Sequence, residues 1–324
     1  MFARLFLSVV VLTAVGLHAV ETTSSPPASV PDLASGAVTL PFEIIGERLF
    51  VAAVLNDDTT CSCLIDTGSE VTLLNRARVT VKNLRYGAFE QLQGAFVGNF
   101  RAQPATLKKL ALGKHVLENC ELGVINQGKG TPLEQIDMIL GMDLLSRARF
   151  TVDFKHSRLI FWPPGSTLPK APDGIERVQL ATHRGLKEEG TRPRIMAKLN
   201  GKTPAEFLLD FGADTPLYVA THDFKELGFD PAGEASGSMD VTTPAQMTLF
   251  FYRQDWPKLE LGTLAFEHVE GRVMAAAQAP ASIRNDLQTM YNILGTPFLK
   301  TLDAVHIDMP AKTVSIDRPA EKKK

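Results

Sequence analysis

Between Ala37 and Asp317, apolar and polar residues alternate over short runs rich in Val, Ile, Leu, Thr and Phe. Turn-forming Gly, Pro, Asn and Asp separate the runs, as in "VLNDDTT" (Val54 to Thr60) and "LALGKH" (Leu110 to His115). Alternation with a period of two predicts strands with one face turned to a core. Helical periodicity is scarce. Short helices are expected after "ILG" at Ile139–Gly141 and again after Ile293–Gly295. In the second, Pro297 behind Thr296 suits the first helical turn and the N-cap. The expected class is mainly β.

The pattern occurs twice. "VLNDDTTCSCLIDTGSEVTLL" from Val54 aligns without a gap to "KLNGKTPAEFLLDFGADTPLY" from Lys198. "LALGKHVLENCELGVI" (Leu110 to Ile125) resembles "LELGTLAFEHVEGRVM" (Leu259 to Met274), and "MILGMDLL" (Met138 to Leu145) echoes "NILGTPFL" (Asn292 to Leu299). Each half then closes on a predicted hairpin, "TVDFKHSRLIF" in the first and "HIDMPAKTVSI" in the second. Matched features in the same order predict a duplicated architecture.

Ser/Pro-rich "ETTSSPPASVPDLASG" reads as a flexible leader, and "PPGSTLPKAPDG" (Pro163 to Gly174) divides the rest into similar halves. The expected organisation is a signal peptide at 1–19, a leader at 20–36, a first lobe at 37–162, a linker at 163–176, a second lobe at 177–317 and a tail at 318–324. Arg4 precedes the apolar run Leu5 to Leu17. That run is short of the about 20 apolar residues that span a bilayer but suits a secretory signal, with cleavage after Ala19 or after Gly16. An exported protein, periplasmic or extracellular and without a membrane anchor once the signal is removed, is expected.

Composition narrows the partners. A net charge of -2 over 324 residues, without a basic stripe, gives no reason to expect nucleic acid. The three cysteines and seven histidines lack metal-site spacing, so no metal and no cofactor are expected. Cys61 and Cys63 point the same way in a predicted strand and are poorly placed to bond each other. Either one pairs with Cys120, or all three are small buried hydrophobes.

The chemistry gathers in "LIDTGSE" (Leu64 to Glu70) and "LLDFGAD" (Leu208 to Asp214). An apolar strand ending in Asp-x-Gly sets a carboxylate in a tight turn, where the Gly lets backbone N–H groups approach it. Two such loops in duplicated lobes bring Asp66 and Asp210 together across a pseudo-twofold axis. Carboxylates that close cannot both ionise, so they share a proton. One then acts as base on a water while the other donates to the carbonyl under attack. No Ser or Cys stands in a recognisable nucleophile context.

With "LIDTGSEVTLL" and "ILGMDLL", the sequence resembles the retropepsin-like aspartic peptidases, including bacterial exported members, over Ala37–Trp162 and more loosely over Arg177–Asp317. The resemblance implies a closed β fold per lobe and a peptide or protein substrate in the cleft between lobes. It implies catalytic Asp66 and Asp210, supported by Thr67, Gly68, Ser69, Phe211, Gly212 and Ala213. It places Leu140, Gly141, Leu294 and Gly295 behind the dyad. A flap is implied at Glu90–Pro104, with Gly94 and Gly98 near its tip, and its counterpart at Gly233–Met247. Two lobes in one chain make an intramolecular pseudodimer, hence a monomer.

Phe211 departs from the family pattern, in which a Thr after the Asp grips the partner loop. Ala213 does not, since related proteases carry Ala there. The missing hydroxyl is worth about 0.5–1.5 kcal/mol. The covalent tether between lobes is worth roughly 4 kcal/mol against a micromolar partner and offsets it. The leading reading is an aspartic endopeptidase. The alternatives are a non-catalytic peptide-binding relative with a degenerate second lobe, and a homodimer of first lobes covered by the second.

Overall fold

The computed structural model describes residues 6–8, 36–88, 90–95, 98–129, 133–181, 192–220, 227, 237–242, 248–274 and 291–319. The chain builds two closed β units. In the first, the ring runs Gly98–Leu112, His115–Ile125, Leu73–Asn75, Met138–Leu140, Thr59–Ile65 and Arg48–Leu55. This last strand pairs back onto Gly98–Leu112. In the second, the order is Thr248–Leu261, Leu264–Met274, Leu217–Val219, Asn292–Gly295, Ala205–Asp210 and Arg194–Leu199, closing on Thr248–Leu261.

Parallel pairings fall at the same places in both rings. His115–Ile125 with Leu73–Asn75 matches Leu264–Met274 with Leu217–Val219. Met138–Leu140 with Thr59–Ile65 matches Asn292–Gly295 with Ala205–Asp210.

The repeated Leu-Asn has a local cause. Asn56 and Asn200 turn the chain at φ 49° and 51°, a left-handed conformation that Asn tolerates better than most residues. Each backbone N–H donates to a carbonyl on a neighbouring strand, that of Lys109 at 2.9 Å and that of Lys258 at 2.8 Å. Each side-chain oxygen accepts the same residue's N–H in return, at 3.0 and 3.1 Å. The Asn thus fixes the turn and the strand closure together.

Cys61, Cys63 and Cys120 are buried free thiols, which settles the question left open by the sequence. Cys61 and Cys63 share the core face of one strand, and Cys120 lies opposite Leu107 in a different pairing. Burial pushes the Cys61 thiol up to about 12, so it stays protonated near neutral pH.

Both expected hairpins form, Arg149–Asp153 with Arg158–Trp162 and Ala304–Asp308 with Thr313–Pro319. They do not close separate lobes. Arg149–Asp153 pairs with Ala304–Asp308, and the hairpins merge into one six-stranded sheet edged by Ile175–Leu180 and Val38–Pro41. The linker expected at 163–176 therefore runs into an edge strand of this shared sheet. One face of the sheet carries Phe150, Val152, Leu159, Val305, Ile307 and Ile316, all in the core.

The other face carries a buried polar ladder. Trp162 Nε1 donates to Thr151 Oγ1 at 2.8 Å, Thr151 Oγ1 meets His306 Nδ1 at 2.8 Å, and His306 Nε2 lies 3.0 Å from Asp317 Oδ2. Arg177 binds Asp317 through two nitrogens, at 2.6 and 2.7 Å. Burial alone would raise the Asp317 pKa. The Arg177 and His306 contacts outweigh it and hold the carboxyl at about 2.

Short helices follow each "ILG", at Met142–Leu145 and Thr296–Leu299. Thr296 is not an N-cap as the sequence suggested. Gly295 takes that place, and the Thr296 hydroxyl donates instead to the Phe211 carbonyl at 2.8 Å. A residue Phe6–Ser8 strand, within the stretch expected as a signal peptide, runs parallel to Gln93–Ala95.

Candidate active site

Asp66 follows the strand Thr59–Ile65, and Asp210 ends the strand Ala205–Asp210. The "ILG" strand lies beside each. The Asp66 N–H donates to the Leu140 carbonyl at 3.1 Å, and Asp210 is in register with Gly295. Gly141 and Gly295 allow close approach, because a Cβ there would sit 2.4 Å from the Val71 carbonyl oxygen and 2.1 Å from that of Thr215. The loops also dock on the helices that follow. Met142 donates to the Ser69 carbonyl at 2.8 Å, and Thr296 to that of Ala213 at 3.1 Å.

The two loops face each other at contact. A Cβ on Gly68 would lie 2.3 Å from Asp210 Oδ2, and one on Gly212 would lie 2.5 Å from Asp66 Cγ. Each Gly is thus a seat for the opposing carboxyl. Both Asp side chains are fully buried. Asp66 Oδ1 accepts the N–H groups of Gly68 and Ser69, both at 2.9 Å, whereas among the described residues Asp210 Oδ1 accepts only the N–H of Gly212, at 2.8 Å. The Ala213 N–H turns to the Asp210 main-chain carbonyl instead, at 3.3 Å. The Ser69 hydroxyl donates to the Val71 carbonyl at 2.7 Å, a bond Ala213 cannot copy.

Burial raises both carboxyl pKa values. Asp66 stands well above the ordinary range, first by burial and then by the charge of Asp210. Asp210 is raised less, because the Gly212 N–H, Asp66 and the cations of Arg192 and Arg48 counter its burial. Asp210 pushes the Asp66 pKa up, while Asp66 counters the rise at Asp210. Buried carboxylates that close cannot both ionise, so the arrangement favours one proton held by the pair.

Thr67 carries the grip alone. Its hydroxyl donates to the Leu209 carbonyl at 2.6 Å and accepts the Phe211 N–H at 3.1 Å. The Phe211 ring is fully buried, 6.2 Å from the ring of Phe154.

Two ion pairs missed by the sequence reading clamp the loops. Arg48 reaches Asp214 at 3.2 Å, and Arg192 reaches Glu70 at 3.0 Å, each from one half to the other. Arg192 also points a nitrogen at the Gly68 carbonyl, 3.4 Å away, and stacks over Tyr291 at 4.8 Å. The repeat held the clue: Arg48 and Arg192 stand equally far before their Asp, and Glu70 and Asp214 equally far after.

The expected flap stretch forms a hairpin, Glu90–Ala95 with Gly98–Leu112, in which Gly94 and Gly98 are the last described pair. Its turn, 96–97, lies outside the described residues. The counterpart pairs Gly237–Thr242 with Thr248–Leu261, and residues 233–236 and 243–247 of the expected stretch lie outside the described residues.

Two barrels on a shared sheet, with an Asp-x-Gly loop from each meeting between them, define an aspartic-peptidase architecture. Residues 51–144, on the first unit and including Asp66, match the model of a family described as aspartyl protease. No curated protein matches the chain. Among solved structures, it is similar to the aspartic proteinase from Irpex lacteus, with 15% identity and a TM-score of 0.53, over 88% of this chain and 98% of that one. At that identity the likeness shows the fold. The chain therefore resembles retropepsin-like aspartic peptidases in the sequence of its first unit and an aspartic proteinase in fold over most of its length.

Proposed function

We propose that the protein is an aspartic endopeptidase whose catalytic pair is Asp66 and Asp210. The single observation that carries this reading is the mutual seating of the two loops, with Gly68 against Asp210 and Gly212 against Asp66. The ionised member of the pair takes a proton from a water as its oxygen adds to the scissile carbonyl, and the protonated member donates to the carbonyl oxygen. The tetrahedral diol then collapses. The C–N bond breaks as the amine takes the proton of the pair, one diol hydroxyl gives its proton back to the pair as the carboxylic acid forms, and one shared proton remains. Backbone N–H groups on Asp66 and Asp210 fix the carboxyl orientation before substrate arrives.

A peptide-binding relative without catalysis would rest on Phe211. Here the Phe211 N–H still reaches Thr67, and Asp210 still faces Asp66 through Gly68, which supports the catalytic reading. Action as a single chain is part of the proposal, supported by the shared sheet and the reciprocal ion pairs. Export is also part of it, and rests on Arg4 and the apolar run Leu5 to Leu17.

The test is cleavage of a mixed peptide library at pH values from 3 to 8, with and without a peptide carrying a secondary alcohol in place of the scissile carbonyl. Internal cleavage blocked by that mimic is expected. Cleavage abolished by a chelator or by a thiol reagent would refute it.

A further inference from the structure

The second Asp loop lacks the hydroxyl that grips from the first, yet its Gly212 seats Asp66 as Gly68 seats Asp210. We infer that an aromatic brace from the first half, Phe42–Phe154, packs on Phe211 and positions the Asp210 loop, and that Phe154 is a positioning residue for Asp210. The inference rests on the proposed dyad and deepens it.

Phe154 stands at the turn of the hairpin Arg149–Trp162, in the shared sheet. Its ring lies 6.2 Å from that of Phe211, tilted by 48°, and 5.8 Å from that of Phe42, edge-on at 74°. Both separations fall in the range where ring pairs attract beyond simple burial. Phe42 is itself tied to the hairpin turn, its N–H donating to the Ser157 carbonyl at 3.0 Å. The ring of Phe211 is therefore held from the sheet that joins the two halves. Its backbone is held on either side, the N–H by Thr67 at 3.1 Å and the carbonyl by Thr296 at 2.8 Å. Asp210 is the residue immediately before.

The repeat makes this contact one-sided. At the position of Phe154 the second hairpin has Met309, and at the position of Phe211 the first loop has Thr67. Aromatic rings occupy both members of the contact only where the hydroxyl is missing. Thr67 fastens one loop by hydrogen bonds, and Phe154 fastens the other by packing.

The test uses the full chain with Phe154→Leu, which keeps apolar bulk without the ring, and Phe154→Tyr, which keeps the ring at a half-buried position. On a peptide that the wild type cleaves, Phe154→Leu should lower kcat about tenfold with KM within about twofold, and shift the pH profile. Phe154→Tyr should stay within about twofold of wild type in both. A Phe154→Leu protein with wild-type kcat and pH profile would overturn the brace, as would a loss confined to KM or equal losses in both variants.

The carboxyl carbons of Asp66 and Asp210, followed by NMR against pH, give a reading independent of cleavage. Phe154→Leu should alter their joint titration and Phe154→Tyr should not. If the wild type cleaves nothing but this contrast appears, the brace stands and the peptidase reading fails. An unchanged titration in Phe154→Leu overturns the brace.

Discussion

Thr67 donates its hydroxyl to the carbonyl of Leu209, 142 positions later, joining the two Asp loops by a bond of 2.6 Å. The same oxygen accepts the Phe211 N–H, so one buried side chain satisfies two backbone groups of the opposing half. Thr67→Val keeps the shape and leaves both groups unpaired. It should lower stability to urea by about 2–4 kcal/mol, while Thr67→Ser costs little. A loss below about 0.5 kcal/mol for Val would show that the grip is idle.

Gly68→Ala would put a methyl carbon 2.3 Å from Asp210 Oδ2. That oxygen belongs to a carboxyl held by the Gly212 N–H, so the loops must part. Peptide cleavage should fall by about a hundredfold or more, with Gly212→Ala behaving alike. Circular dichroism would confirm that the sheets remain. Activity near wild type in either variant would mean that the two loops do not meet in the working enzyme.

Arg192 favours the charged form of Asp210 and pairs with Glu70 at 3.0 Å. Replacing it by Gln removes a cation that lowers the Asp210 pKa. That value should rise, and the pH–rate profile should move to higher pH by about half a unit. A shift to lower pH would contradict the assigned electrostatics.

The dyad also predicts how stability depends on pH. Burial raises the Asp210 pKa in the folded state, to about 6, above its unfolded value. Protons bind the folded form more tightly, so this contribution is full below about pH 4 and is lost as pH rises through the folded value. Asp210→Asn removes the buried charge. It should be more stable than wild type at pH 8 by a few kcal/mol, with the difference shrinking toward pH 4. Asp317 works in the opposite sense: its lowered pKa gives stability that is present above about pH 4 and is lost as pH falls through about 2. Thermal unfolding from pH 3 to 8 measures both, and an Asp210→Asn curve parallel to wild type would contradict the first.

Much of this was legible in the sequence because it depends on local spacing. Period-two runs gave the strands, Leu-Asn in both halves belonged to the repeat, and Asp-x-Gly with "ILG" located the loops and their backing strands. What escaped depends on which strands become neighbours. Alternation says that Thr151 and His306 point away from Phe150 and Val305, but not that the two hairpins pair with each other. Phe211 looked like a defect when read alone. Its partner Phe154 is 57 positions earlier and meets it only through the shared sheet. Thr296 beside Pro297 fits an N-cap locally, but the Phe211 carbonyl competes for its hydroxyl. The Arg48 and Arg192 clamps were written into the repeat and needed only their common offset to be noticed.

The most direct measurement of the central claim is kcat/KM for peptide cleavage by wild type, Asp66→Asn, Asp210→Asn and the double variant. Two carboxyls sharing one proton act as a unit, so each single variant should lose at least about a thousandfold, and the double variant scarcely more. Asp210→Asn that keeps most of the activity while Asp66→Asn loses it would contradict the claim, and so would a wild type that cleaves only after Phe211→Thr.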